Sequence, residues 1–270
     1  MQDKVTIIMP VSRADYLSPV FSALEVLECD RRYTNLVVIV DGDDKLFIKV
    51  RNLTAMSKFN ETLCVPYSKR DEPKVIETDL IGRRQRIADI HNELKTLIGE
   101  CKYVLGIEDD TVIPPKTLAH LLEDLSEVPH AGFIQGVELG RWHKPYIGAW
   151  LADDIYEPHL MSSIMPRSEF DSTRGNKAYE PIDAGGLFCF ISKKEIYTSH
   201  DFKTFENNGM GPDADYGMTL RQLGYSNFID WRIKCIHLFG DEKISLATHK
   251  PVHVYFTKHP NRKTWQFHSK

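Results

Sequence analysis

Two short runs near the N-terminus, residues 5–9 (Val-Thr-Ile-Ile-Met) and 36–40 (Leu-Val-Val-Ile-Val), are almost wholly apolar and rich in β-branched side chains. A strand with one wet face alternates polar and apolar residues. An unbroken run this short belongs instead to a strand covered on both faces, as in a parallel sheet with helices above and below. A third run, residues 103–107, has the same character. Each run stops at a breaker or an acid: Pro10, then Asp41-Gly42-Asp43-Asp44, then Glu108-Asp109-Asp110.

Between these strands the apolar period changes to that of a helix. Residues 16–27 place Leu17, Val20, Phe21, Leu24 and Leu27 on one face, residues 82–98 read as a second helix, and Pro114-Pro115 opens a third that runs to Leu125. A weaker strand falls at residues 62–65. The alternation predicts an α/β fold: a Rossmann-like, doubly wound mixed sheet in a single domain. From about Gly132 the pattern is less regular, with strands at 133–137, 186–192 and 227–237, a helix at 213–223 and a long polar loop at 154–179.

Composition excludes little but is informative on three points. The formal net charge of −4 argues against nucleic-acid binding through bulk charge, though not against a local basic surface. The five cysteines (Cys29, Cys64, Cys101, Cys189, Cys235) form no CxxC pair, so neither a zinc knuckle nor a disulfide framework is expected, and a reducing compartment fits. No apolar run approaches the roughly 20 residues of a membrane span, and a soluble, cytoplasmic protein is the expectation.

The acids at the strand ends carry the chemistry. In open α/β sheets ligands bind outside the carboxyl ends of the strands, where Asp41 and Glu108-Asp109-Asp110 fall. A divalent ion held by one or two carboxylates plus substrate phosphates would relieve the repulsion among three neighbouring acids. Turn-forming or helix-capping aspartates are the competing reading, above all for Asp41 and Asp44.

Residues 106–115 (Gly-Ile-Glu-Asp-Asp-Thr-Val-Ile-Pro-Pro) resemble the DxD segment of GT-A glycosyltransferases, especially the family-2-like group. Residues 5–13 look like that group's opening strand and nucleotide-contacting turn, which implies donor contacts from Pro10 and Arg13. Residues 38–43 are similar to its second strand, whose aspartate, here Asp41, reads the nucleobase. Residues 82–86 followed by Asn92 look like its arginine-bearing helix, with Arg83 and Arg86 beside the donor. Residues 211–225 resemble its ED segment, with Asp213, Asp215, Arg221, Gly224 and Tyr225 in register. Glu108 replaces the first DxD aspartate, Pro212 stands where that segment has glutamate, and no QxxRW motif accompanies Arg141-Trp142, which disfavours a processive synthase.

The resemblance implies a divided chain: residues 1–130 bind a nucleotide-sugar donor, residues 131–247 hold the acceptor and catalytic parts, and residues 248–270 form a tail. It implies a divalent cation, Mn²⁺ or Mg²⁺, on Glu108, Asp110 and His237, with Asp109 assisting at the donor and Gly185-Gly186 passing under the sugar. Glycine permits such close backbone approach. Asp213 would be the general base that deprotonates the acceptor hydroxyl, which implies inversion. A core histidine, a simple turn and a plain first-turn aspartate are the competing readings for His237, Gly185-Gly186 and Asp213. Trp142, Tyr146 and Trp150 could stack on a ring or simply pack.

From Thr248 to Lys270 there is no acidic residue, while Lys250, Lys258, Arg262, Lys263 and Lys270 interleave with Tyr255, Phe256, Trp265 and Phe267. Such a tail suits phosphate contact and base stacking. Small relatives of this kind include virus-encoded enzymes that glycosylate hydroxymethylated bases in DNA, so modified DNA is a candidate acceptor beside the nucleotide-sugar donor. A nucleotidyltransferase would need a glycine- and lysine-bearing loop after the first strand, which residues 10–14 lack. A non-catalytic sugar- or nucleic-acid-binding module would have no need of Asp110, Asp213 and His237 converging.

Overall fold

The computed structural model describes residues 3–72, 80–139, 148–152, 161–163, 178–204, 211–238, 255–258 and 265–268. One nine-stranded sheet organises it. Strands β1 (Val5–Val11), β2 (Thr34–Val40), β3 (Thr62–Pro66) and β4 (Tyr103–Ile107) are parallel in the order β3-β2-β1-β4. The sheet then continues through later parts of the chain. Strand β5 (Thr111–Val112), β6 (Ala131–Leu139), β9 (Tyr179–Ile182), β11 (Cys189–Lys193) and β12 (Ser226–His237) extend it as β4-β11-β6-β12-β5, with β9 also on β12. β11 runs antiparallel to both its neighbours, β12 runs parallel to β6, and β5 and β9 are antiparallel to β12.

Alternation along the parallel strands explains the two layers. Ile7, Met9, Val38 and Val40 face one side and pack with α1 (Leu17–Val26), α2 (Asp44–Met56) and α4 (Thr117–Glu127). Ile8, Val37 and Ile39 face the other and pack with α3 (Leu80–Leu97), α5 (Lys194–Tyr197) and α6 (Pro212–Gln222). The central strand residues are fully buried, and each large side chain so placed contributes about 1.5–3 kcal/mol from water exclusion. A small antiparallel sheet of β7 (Ala149–Ala152), β8 (Met161–Ser163) and β10 (Ala184–Gly185) lies beside α6. The tail contributes one antiparallel pair, β13 (Tyr255–Lys258) with β14 (Trp265–His268).

The structure departs from the sequence reading in several places. The sequence reading names no helix at α2, although Leu46, Val50 and Thr54, its buried residues, recur at helical spacing; its start is fixed by Asp43, whose side chain accepts from Leu46 N at 2.8 Å. α4 begins at Thr117 rather than at Pro114-Pro115, because the Thr117 amide and hydroxyl both turn back to Pro114 O. Residues 186–188 form a turn between β10 and β11 instead of extending the strand. The loop expected over 154–179 lies mostly outside the described residues, but Met161–Ser163 within it pairs with β7. Among the described residues no helix is long and apolar enough to cross a membrane.

Candidate cation and donor site

Because β1 and β4 are adjacent and parallel, the turns that leave them, Ser12-Arg13 and Glu108-Asp110, emerge side by side. Asp109 fastens them together. Its Oδ2 accepts from Ser12 N at 2.7 Å, Arg13 N at 2.9 Å and Ser12 Oγ at 3.3 Å, and its Oδ1 accepts from Arg13 Nη2 at 2.6 Å. Amides freed at a strand end need an acceptor when buried, and a carboxylate serves several at once. The same Nη2 donates to Asp110 Oδ2 at 2.6 Å. Burial works against the charge of Arg13, but Asp109 and Asp110 outweigh it and raise its pKa.

β12 brings in the last component. Its final residue, His237, pairs with Thr111 of β5, and the following amide, Leu238 N, donates to Asp110 O at 2.7 Å. The imidazole Nε2 is thereby 2.9 Å from Asp110 Oδ1 and 3.6 Å from Glu108 Oε2. On the far side of the ring, Nδ1 is 2.9 Å from Glu138 Oε1. Both 2.9 Å contacts are close ion pairs by distance. Burial opposes a charged ring, yet the carboxylates of Asp110, Glu138 and Glu108 prevail and lift His237 to about 9. One ligand atom each from Glu108, Asp110 and His237 lies within 4.8 Å of the others. Two carboxylate oxygens and one imidazole nitrogen, partly open through Glu108, form a donor set suited to a divalent first-row ion such as Mn²⁺.

The neighbouring strand end is occupied differently. Asp41 receives a two-pronged bond from Arg86 of α3, with Nε to Oδ2 and Nη2 to Oδ1 both 2.6 Å. Arg86 also reaches Lys69 O at 3.2 Å and lies over the Tyr67 ring, 5.2 Å from its centroid. Planar pairs of this kind fix orientation, so Asp41 is held rigidly at the end of β2. Pro10 lies within β1, opposite Ile39 and half-buried, while Arg83 is exposed on α3.

Asp183, two residues before Gly185, ties three elements together. Its side chain accepts from Arg221 Nε of α6 and from Ala152 N of β7, each at 3.0 Å, and its carbonyl accepts from Asn227 Nδ2 of β12 at 2.7 Å. This tether fixes the buried Gly185 and Gly186. A side chain at Gly185 would meet Gln135 Oε1, 1.6 Å from an ideal Cβ, and would have to displace that buried amide. Gly186 N donates to Gly148 O at 2.7 Å.

Asp213 lies in the first turn of α6, where its Oδ1 accepts from Ala214 N at 2.9 Å and lies near Gly211, with Arg84 Nε close by. Asp215, two residues on, accepts from Lys203 N at 3.3 Å, and burial pushes its carboxyl up to about 6 against the opposing pull of Lys203.

The structure thus gathers Glu108, Asp109, Asp110, Arg13 and His237 at one place, with Asp41 and Arg86 at the next parallel strand end. Gly186 adjoins that cluster through Gly148 and Phe188, Gly185 lies on β10, and Asp213 lies on α6 with Arg84 of α3 nearby. Trp142 and Tyr146 lie outside the described residues, and Trp150 is half-buried on β7. Sequence reasoning passed over Glu138, although a carboxylate inside the apolar run of β6 is itself a signal, since acids are almost never fully buried unless paired.

No protein-family model and no curated protein sequence matches the chain. Solved structures do. A mannosyltransferase from Pyrobaculum calidifontis, solved with GDP-mannose and Mn²⁺, is 14% identical, with a TM-score of 0.56 over 90% of this chain and 59% of that one. A second, GalNAc-T7 solved with UDP, GalNAc and Mn²⁺, gives a TM-score of 0.59 at 11% identity, over 88% of this chain and 44% of that one. TarS residues 1–349 from S. aureus, solved with UDP-GlcNAc, give a TM-score of 0.51 at 12% identity, over 88% and 60%. The chain therefore spans less than two thirds of each of these proteins, and what it shares with them is architecture: it has the GT-A glycosyltransferase fold.

Proposed function

We propose that the chain is a metal-dependent glycosyltransferase that moves one sugar from a nucleotide-sugar, a UDP-sugar in the first instance, to an acceptor hydroxyl. The observation that carries this reading is the meeting of Glu108, Asp110 and His237 at the carboxyl edge of the parallel strands. Two of the similar structures hold Mn²⁺, and all three hold a nucleotide or nucleotide-sugar.

In this reading Glu108, Asp110 and His237 hold a divalent cation, Mn²⁺ or Mg²⁺, which neutralises charge on the departing diphosphate. Arg13 lies close enough to Asp110 to share that duty towards the phosphates. Asp109 keeps Arg13 and its turn in place, and Pro10 lines the same turn. Asp41, aligned by Arg86, faces the nucleoside, with Arg83 contributing positive charge from α3. Gly185 and Gly186 let the sugar approach the backbone. Residues 1–130 hold the donor, and residues 131–247 the acceptor.

Asp213 acts as general base. The acceptor oxygen forms its bond to the anomeric carbon as the bond from that carbon to the diphosphate oxygen breaks, and the acceptor proton passes to Asp213. The configuration inverts. A hydroxymethylated base in DNA is the acceptor that the basic, aromatic composition of residues 248–270 supports. In a duplex that base would first leave the stack.

Incubation with UDP- and GDP-sugars, with and without Mn²⁺, tests the reading through thermal stabilisation and nucleoside diphosphate release. One donor should stabilise the protein in a Mn²⁺-dependent way. The absence of a shift with every donor would remove the assignment. Asp213→Asn should keep donor binding while transfer to the acceptor falls by about 10²–10⁴-fold; undiminished transfer would strip Asp213 of its role as base.

A further inference from the structure

Glu138 stands inside β6, in the run Phe-Ile-Gln-Gly-Val-Glu-Leu, with its side chain 2% exposed. A carboxylate buried that deeply must be met by a partner, and the strand register supplies one. β12 lies parallel to β6 with Cys235 opposite Glu138, and His237 ends that strand with Nδ1 2.9 Å from Glu138 Oε1. The opposite nitrogen, Nε2, faces Asp110 and Glu108.

A neutral imidazole carries one proton on one of two nitrogens. It offers a lone pair to a cation only at the nitrogen without the proton. A cation on Asp110 and Glu108 would exclude the proton from Nε2, and the Glu138 carboxylate, 2.9 Å from Nδ1, is placed to hold it on that side, leaving the Nε2 lone pair for the cation. We infer that Glu138 is the positioning residue of the cation site: it fixes the tautomer and the plane of His237, so that Nε2 acts as ligand. This inference rests on the cation-site reading given above.

The surroundings restrict the carboxylate. An ideal Cβ at Gly148 would lie 2.7 Å from Glu138 Oε2 and 2.7 Å from the Phe188 ring, and Gly148 has φ +61°, so glycine is required there on both counts. Gly148 O in turn accepts from Gly186 N at 2.7 Å and from Gln135 Nε2 at 2.9 Å. Phe188 closes the other side, its ring centroid 6.1 Å from that of His237. Glu138 is thus walled in by the segment that also holds Gly186, and its charge stays against the ring.

Mn²⁺ alone is the probe, and the readout is binding, followed by loss of the free-ion electron paramagnetic resonance signal. Wild type, Glu138→Ala, His237→Ala and the double variant form a cycle. Glu138→Ala should weaken Mn²⁺ about 10–100-fold. In the His237→Ala background the same change should have little further effect, because Glu138 acts through the ring. Unchanged affinity in Glu138→Ala, or an equal drop in both backgrounds, would overturn the inference. Failure of wild type to bind Mn²⁺ would instead overturn the cation-site reading itself. Metal-free melting checks the fold. Should Glu138→Ala not fold, Glu138→Gln replaces it in the cycle, with an affinity expected between those of wild type and His237→Ala; wild-type affinity in Glu138→Gln would count against the inference.

Discussion

Asp109 with Asp110, and Asp124 with Asp230, are both pairs of buried carboxylates, and a single arginine bridges each. The resemblance ends at what else enters. Arg232 spends its guanidinium on the second pair and its surroundings: Nη2 is 2.6 Å from Asp124 and 3.0 Å from Asp230, Nη1 donates to Glu123 at 2.8 Å, and the Arg232 amide donates to Asp230 at 2.7 Å. That cluster staples α4 to β12. At the first pair a titratable histidine and a partly exposed Glu108 join the acids. A fixed positive charge with many donors closes a site, whereas an imidazole among carboxylates can exchange its proton for a metal ion.

The two clusters should therefore fail in opposite ways. Arg232→Ala leaves Asp124 and Asp230 buried without their cation, and a loss of about 3–5 kcal/mol in unfolding free energy is expected. Denaturant melts measure it. Nucleoside diphosphate release per folded molecule should stay near wild type, and a specific loss of donor turnover would break the comparison. Asp110→Ala should do the reverse, lowering turnover by about 10²–10³-fold with Mn²⁺ dependence abolished, as expected when one group stabilising the leaving charge is removed. If Asp110→Ala unfolds the chain as severely as Arg232→Ala, Asp110 is a structural clamp as well.

A third substitution sharpens the division within the first cluster. Asp109→Asn keeps the size of the side chain but weakens its bonds to two amides and Arg13, and about 1–3 kcal/mol of stability should go with them. Mn²⁺ affinity should change less than in Asp110→Ala, because Asp109 is not among the residues that converge on a cation. Comparable metal loss in both variants would show that the tether and the ligand set are one unit.

How these features could be read in advance differs between the two clusters. β1, β2 and β4 were legible because burial on both faces leaves an unbroken apolar run. The acids that follow them were legible because ligands bind where parallel strands end. His237 was reached only through resemblance, and Glu138 not at all. Their meeting depends on β6 and β12, which are about a hundred residues apart in sequence and pair with irregular register. The Arg232 cluster left no trace in the sequence, since Asp230-Trp231-Arg232 has no period or spacing that announces a partner on α4. Helix α2 keeps a helical period at Leu46, Val50 and Thr54, a signal the sequence carried and the reading passed over.

The finest difference concerns protons. Burial, then the neighbouring Asp230, pushes the Asp124 carboxyl up to about 8, with Arg232 pulling the other way. An unfolded aspartate titrates near 4, so the folded state binds the proton more tightly. The stability this contributes is complete below about pH 4 and is lost as pH rises through about 8. Melting temperature, followed by circular dichroism in EDTA from pH 6 to pH 9, should fall more in wild type than in Asp124→Asn, which has no proton to lose. In Arg232→Ala the carboxyl holds its proton to still higher pH, so the cost of the substitution should be smaller at pH 6, where Asp124 is neutral, than at pH 9. Parallel curves for wild type and Asp124→Asn would mean that Arg232 already keeps Asp124 ionised, making the second cluster a permanently charged clamp with no proton to exchange.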